Sequence, residues 1–261
     1  MGTTIAIAIA NQKGGVAKTT TVGAMAAALS QRGYKVLAVD LDPQGNLSDA
    51  TGAECFKLPT SYELLKKVSK AHEVIQSLEK FDIIPANIML AGAEQELMAQ
   101  TGREHRLRET LEPIKDQYDY ILIDTPPSLG VLTINSLVCA DEVIIPTTAG
   151  IFSANGIKQL ADTINNVREY CNSQLKISGI LLTKYNPRTT ISQAIKELTA
   201  SIGNYIQVII FNTYIRHSVV VEEVQAKKVD LFSWKKKSTV AEDYSKFVDE
   251  YLSRKKEGEN A

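Results

Sequence analysis

Residues Asn11 to Thr21 read NQKGGVAKTTT. They stand between an apolar, β-prone run, Ile5 to Ala10, and a small-residue helical stretch, Val22 to Leu29. A strand that breaks at paired glycines and re-enters at once as a helix admits few folds. That element order suits an α/β sandwich with ligands at the C-terminal strand ends. Such a turn also gathers successive backbone N–H groups and a helix N-terminus around one point, an arrangement suited to a phosphate chain.

The usual phosphate-loop pattern, G-x-x-x-x-G-K-[ST], fails here at both glycines: the expected positions hold Gln12 and Ala17. The chemistry survives the mismatch. Gly14 and Gly15 let backbone approach phosphates, with Val16 and Ala17 completing the turn. Lys18 is spaced to reach the β- and γ-phosphates, the Thr19 hydroxyl to ligate Mg²⁺, and Thr20 continues the cradle. The other reading, a glycine turn before an ordinary helix, leaves the strand-turn-helix context unexplained. Lys13 is a second lysine at a site that needs only one.

Short apolar runs alternate with helical patterns along the whole chain. Strands are expected at Thr4–Ala10, Lys35–Asp40, Phe81–Pro85, Tyr120–Asp124, Glu142–Pro146, Ile177–Thr183 and Tyr205–Ile210. Continuous runs such as YILID and VIIP suit strands buried on both faces, hence a mostly parallel sheet. Thr60–Glu63 matches a capping box, and a helix is expected over Ser128–Val138 after Pro126-Pro127. The fold class is therefore α/β, a doubly wound sheet flanked by helices, with ligands at the C-terminal strand ends. With 261 residues, 44% hydrophobic, and ten residues before the loop, one domain over residues 1–261 is expected, without an N-terminal DNA-binding domain.

Two strand ends carry carboxylates. Asp40 and Asp42, in VDLDPQGN, fall on one face if the strand continues, where metal and attacking water would sit. The competing reading is a polar strand end closed by an Asp-Pro turn. Asp124 ends YILID, and beside a phosphate loop an apolar strand ending in Asp is a metal-binding pattern.

The string KGGVAKTT with its extra Lys13 resembles the deviant Walker A box of the ParA/MinD group of ATPases. DLDPQGN and DTPPS resemble the ParA branch, and similarity extends to Tyr118-Asp119-Tyr120, GILLT ending at Thr183, and Ala241-Glu242-Asp243-Tyr244. The chain thus looks like a ParA/Soj-type partition ATPase with a single P-loop NTPase domain. The resemblance implies ATP and Mg²⁺ as cofactors, with Mg²⁺ held by Thr19, Asp42 and Asp124. It further implies an ATP-dependent homodimer in which Lys13 reaches the partner's nucleotide. Asp42 then orients the attacking water, alongside Lys13 and Lys18. A ParB-like centromere-binding protein and nonspecific double-stranded DNA are the implied partners. Plasmid or chromosome segregation is the implied role, cytoplasmic and nucleoid-associated.

Some positions depart from that family. Ala17 replaces a glycine, which matters only if the backbone there needs positive φ; the hydrolysis rate is where a cost would show. Gly150 and Asn155 stand where glutamates are usual, and Val220 where a basic residue is. Candidate DNA contacts are Arg188 and Arg216, with Lys227, Lys228, Lys235, Lys236 and Lys237 around Trp234. The alternative for these lysines is a solvated face. Formal net charge is −1, but residues 1–183 carry net −4 and the remainder +3, so nucleic acid would meet a local patch.

Three scattered cysteines, without C-x-x-C, exclude a disulfide frame and an iron-protein-like cluster, and His72, His105 and His217 lack ligand spacing. There is no basic leader and no run of 18 apolar residues, so no membrane association is expected. The stripe Tyr244, Phe247, Val248, Tyr251 and Leu252 reads as a helix packed on the core; a MinD-like membrane-surface helix is the alternative. With it goes the runner-up function, a spatial regulator acting at a membrane or cell pole.

Overall fold

A computed structural model describes residues 4–57, 59–148, 153–188, 193, 197, 200, 203, 206–235 and 237–259. Among them, seven strands form one sheet: β1 Ile5–Ile9, β2 Val36–Asp40, β3 Gln76–Ser77, β4 Asp82–Ile84, β5 Tyr120–Asp124, β6 Glu142–Thr148 and β7 Lys176–Thr183. Their order is β3-β4-β2-β5-β1-β6-β7, and every pairing is parallel except β3 with β4. Every residue of VLAVD and YILID is buried, as strands covered on both faces require.

The flanking helices are α1 Lys18–Ser30, α2 Asn46–Thr51, α3 Ser61–Leu65, α4 Ala71–Val74, α5 Leu90–Leu97, α6 Arg106–Leu111, α7 Val131–Cys139, α8 Ser153–Tyr170, α9 Val220–Lys227, α10 Leu231–Lys235 and α11 Thr239–Glu259. The capping box forms at α3, where the Thr60 hydroxyl accepts from Tyr62 N and Glu63 accepts from Thr60 N. The helix expected from Ser128 starts later, at Val131 behind Gly130.

The doubly wound architecture agrees with the sequence. One expected strand does not form. Tyr205 lies outside the described residues, and the run Ile206–Ile210 contributes only an isolated bridge, Ile180 to Ile210. Gln207 takes a left-handed backbone, φ 54°, which breaks any extended run there. Among the described residues the sheet thus ends at β7 on that side, and its opposite edge is β3, two polar residues whose antiparallel pairing carries no apolar signature.

Helix α1 is almost wholly small and apolar because it is covered on both sides, by the sheet and by α11. Tyr244, Phe247, Val248 and Tyr251 of α11 are each no more than 2% exposed and belong to the same cluster as Val22, Met25 and Leu29. The apolar stripe of the last helix therefore faces the core.

Candidate nucleotide site

Parallel register brings the chemistry together. Ile9 pairs with Asp124, and Asp124 with Asp40, so the end of β1, from which the glycine loop springs, adjoins both carboxylates. Three side chains tie the loop to neighbouring strands. The Asn11 amide donates to Pro146 O at 2.8 Å and its carbonyl accepts from Lys13 N at 3.0 Å. The Thr183 hydroxyl donates to Val16 O (3.0 Å), and the Thr125 hydroxyl to Ile9 O (2.9 Å). None of these three was given an anchoring role from the sequence, although Asn11 opens the loop string and Thr125 and Thr183 lie in DTPPS and GILLT.

A cleft of about 660 Å³ opens above the strand ends. Gly14, Gly15, Ala17, Lys18, Thr19 and Thr20 line its floor, with Asp42 beside them. Its opposite wall comes from residues 215–226, a segment far away in sequence that includes Arg216, His217 and Gln225. Val16 is buried beneath the loop.

Lys18 is 7% exposed, and its ammonium donates to Lys13 O at 3.4 Å. Burial lowers its pKa, while the charges of Asp124 and Asp42 hold it up. Lys13 is half-buried; its backbone N–H and carbonyl are both engaged, and its ammonium has no partner among the described residues.

Gly15 has φ 73°, a conformation open to glycine, and the same left-handed region recurs two residues later at Ala17, φ 66° and ψ 32°. A Cβ in that region costs roughly 1–2 kcal/mol. Ala17 caps α1 without a side-chain hydrogen bond, and its carbonyl accepts from the Thr21 amide and hydroxyl. Ala17→Gly is therefore expected to raise the melting temperature of the nucleotide-free protein by about 2–4 °C. An unchanged melt would mean that the chain absorbs this conformation without strain.

The two carboxylates of VDLD do not act as strand neighbours, because β2 ends at Asp40. Asp40 is fully buried and accepts from Ser48 N (3.0 Å), Ser48 Oγ (2.7 Å) and Asp42 N (3.1 Å). Burial pushes its pKa up to about 6, with those donors pulling back. Asp42 lines the cleft, 7% exposed, and accepts from Gln44 N at 2.9 Å.

Asp124 is fully buried, and among the described residues neither carboxylate oxygen has a donor at hydrogen-bonding geometry. Its pKa stands well above the usual carboxylate range, first through burial and then through the Asp40 charge; Thr19 and Lys18 pull it back. Two acceptor-only oxygens without donors, close to a threonine hydroxyl, fit a hard cation that favours oxygen ligands. Among the described residues no three His, Cys, Asp or Glu side chains converge on a point, so phosphate oxygens and water would complete such a shell. Bound Mg²⁺ would neutralise charge on the β- and γ-phosphates, with Thr19, Asp42 and Asp124 as the residues that would hold it, directly or through water.

The candidate DNA residues lie elsewhere or are engaged. Arg216 forms a two-pronged pair with Asp243, at 2.7 and 2.8 Å, on the cleft wall. Lys228 pairs with Asp49 and Lys235 with Glu223, each at 2.6 Å. The Lys227 ammonium lies 4.5 Å from the Trp234 ring centre. Arg188 and Lys237 are exposed, and Lys236 lies outside the described residues, as does Gly150.

A mostly parallel sheet, a pinned glycine loop, a buried lysine at the head of α1 and, at the neighbouring strand end, an Asp with no donor among the described residues define a phosphate-loop nucleotide-binding protein. The family model described as an AAA domain matches residues 4–177. The sporulation initiation inhibitor protein Soj of Bacillus subtilis is 40% identical over 242 residues, covering 91% of this chain and 94% of Soj. The chromosome-partitioning ATPase Soj of Treponema pallidum is 38% identical, covering 94% and 95%. A Mycobacterium smegmatis crystal structure described as cobyrinic acid a,c-diamide synthase with bound ADP and magnesium superposes with a TM-score of 0.86. It is 36% identical, covering 98% of this chain and 96% of that one. The chain belongs to the ParA/Soj family of partition ATPases. It is an ATPase, and its cofactors are ATP and Mg²⁺.

Proposed function

We propose that the chain is a DNA-segregation switch built from a single ATPase domain over residues 1–261. Two protomers close face to face on two ATP molecules, with Lys13 of each completing the other's site. The closed dimer binds double-stranded DNA without sequence preference. A ParB-like centromere-binding protein then accelerates hydrolysis, and the protomers separate and leave the DNA. Replicons of either kind, plasmid or chromosome, suit the scheme, and it operates in the cytoplasm on the nucleoid.

The observation that carries this reading is the second lysine. Lys18 already serves the phosphates from within the chain, while Lys13, five residues earlier, keeps an ammonium without a partner among the described residues. A cation at the rim of an anion site, unused by its own protomer, is suited to a phosphate brought by a second one. Within each site Lys18 neutralises the β- and γ-phosphates, Thr19 and Asp124 hold Mg²⁺, and Asp42 orients the attacking water.

The experiment is DNA binding with ATP, with ADP and without nucleotide. Tight binding is expected with ATP alone; binding indifferent to nucleotide would sink the switch. In the ATP state the Lys235/Lys236/Lys237→Ala variant should flatten the dependence of log K on log salt by roughly 0.9 for each phosphate no longer neutralised. An unaltered slope would move the DNA-binding surface to Arg188 and its surroundings. No helix among the described residues is long and apolar enough to cross a membrane; Tyr244, Phe247, Val248 and Tyr251 of the α11 stripe pack in the core, which supports the DNA reading over a membrane-surface helix.

A further inference from the structure

The turn that carries Asp42 is fastened from beneath by residues outside the nucleotide cleft. The Asp40 carboxylate, at the last position of β2, gathers three donors: the Asp42 amide on one oxygen, and the Ser48 amide and hydroxyl on the other. Ser48 Oγ in turn accepts from Ala86 N at 2.8 Å, just beyond β4. Gly45 closes the same turn at φ 62°, and a Cβ there would meet Ala86 O at 2.8 Å. The loop from Asp40 to Ser48 is thus held at both ends by one carboxylate and pressed against the neighbouring strand end at its middle. Asp40 and Ser48 are both 0% exposed, and neither is among the residues lining the cleft.

Three donors converging on one side chain need a carboxylate. An amide would turn an NH₂ towards at least one of them, leaving a buried donor unsatisfied. We infer that Asp40 and Ser48 form a buried latch that positions Asp42 for hydrolysis, so that they set the rate of the chemical step without touching nucleotide. This rests on the reading of Asp42 as the group that orients the attacking water. Both latch members are positioning residues. Displacing the turn by an ångström separates Asp42 from its working position, a shift that costs up to about 100-fold in rate. The phosphate cradle, Lys13 to Thr20, belongs to a different segment and keeps its own anchors at Asn11 and Thr183.

Intrinsic ATP hydrolysis and ATP affinity, measured on the full chain, test the latch with Ser48→Ala, Ser48→Thr, Asp40→Asn and Asp42→Ala. Ser48→Ala and Asp40→Asn are expected to lower turnover roughly 10- to 100-fold, with ATP affinity changed less than about threefold. Ser48→Thr, which keeps the hydroxyl, should recover most of the rate. Turnover unchanged in Ser48→Ala, or affinity and turnover falling together with no recovery in Ser48→Thr, would overturn the latch. Asp42→Ala separates the two layers. If its turnover is normal, the reading of Asp42 fails; if it is slow while Ser48→Ala and Asp40→Asn are normal, only the latch fails.

Discussion

Lys13→Ala is expected to abolish dimerisation in ATP while each protomer still binds ADP. The residues proposed to hold the nucleotide within a protomer, Lys18, Thr19 and the loop backbone, lie in a loop anchored independently of the Lys13 side chain. Lys13 contributes only its backbone to those anchors, through Asn11 and the Lys18 ammonium. Truncating one partner of a buried, charge-assisted contact between subunits costs about 2–5 kcal/mol. Each such contact is worth roughly 30- to 5,000-fold in dimer affinity, and the variant removes both contacts of the symmetric pair, so light scattering at micromolar protein should find monomers with ATP as well as with ADP. A dimer persisting unchanged would remove Lys13 from the interface. Normal dimerisation without ADP binding would make it a second lysine of its own site.

Asp42→Ala is expected to have the opposite outcome, a dimer that forms and does not resolve. The Asp42 carboxylate lines the cleft beside Lys18, and its removal leaves the phosphate cradle intact. Loss of the group that orients a nucleophile slows such a step by about 10²–10⁴. ATP-loaded protein should therefore remain dimeric for the length of a sedimentation run, with phosphate release suppressed. Because Asp42 also adds to the field holding the Lys18 ammonium protonated, ATP affinity should be compared at the same time. Turnover at the normal rate would show that another group orients the water.

Much of the site was legible because its parts are local. NQKGGVAKTTT, VDLDP and YILID each occupy a strand end, and a parallel sheet brings the C-terminal ends of its strands to one edge whatever lies between them. The burial of the last helix was legible too, since Tyr244, Phe247, Val248 and Tyr251 fall on one helical face. The run at Tyr205–Ile210 misled because a short apolar stretch has the same signature whether it pairs as a strand or only touches one. The division of labour between Asp40 and Asp42 was equally hidden. Two-residue spacing says that they share a face only if the strand continues, and β2 stops at the first of them.

The sequence by itself determined the kind of sheet, the place of the glycine loop within it, and the candidate residues that the fold brings to one edge of that sheet. Those properties follow from periodicity, glycine and lysine spacing, and the side-chain inventory, all of which act over a few residues. Only the tertiary structure decided that Ala17 stands in the left-handed region, that Asp40 is bound to Ser48, and that Arg216 is paired with Asp243 on the cleft wall. Each depends on what the folded chain places against the residue: a loop tied to two strands, a serine eight positions on, an acid on the final helix. Local propensity cannot reach such partners, because the energy that selects them is released only when distant segments pack together.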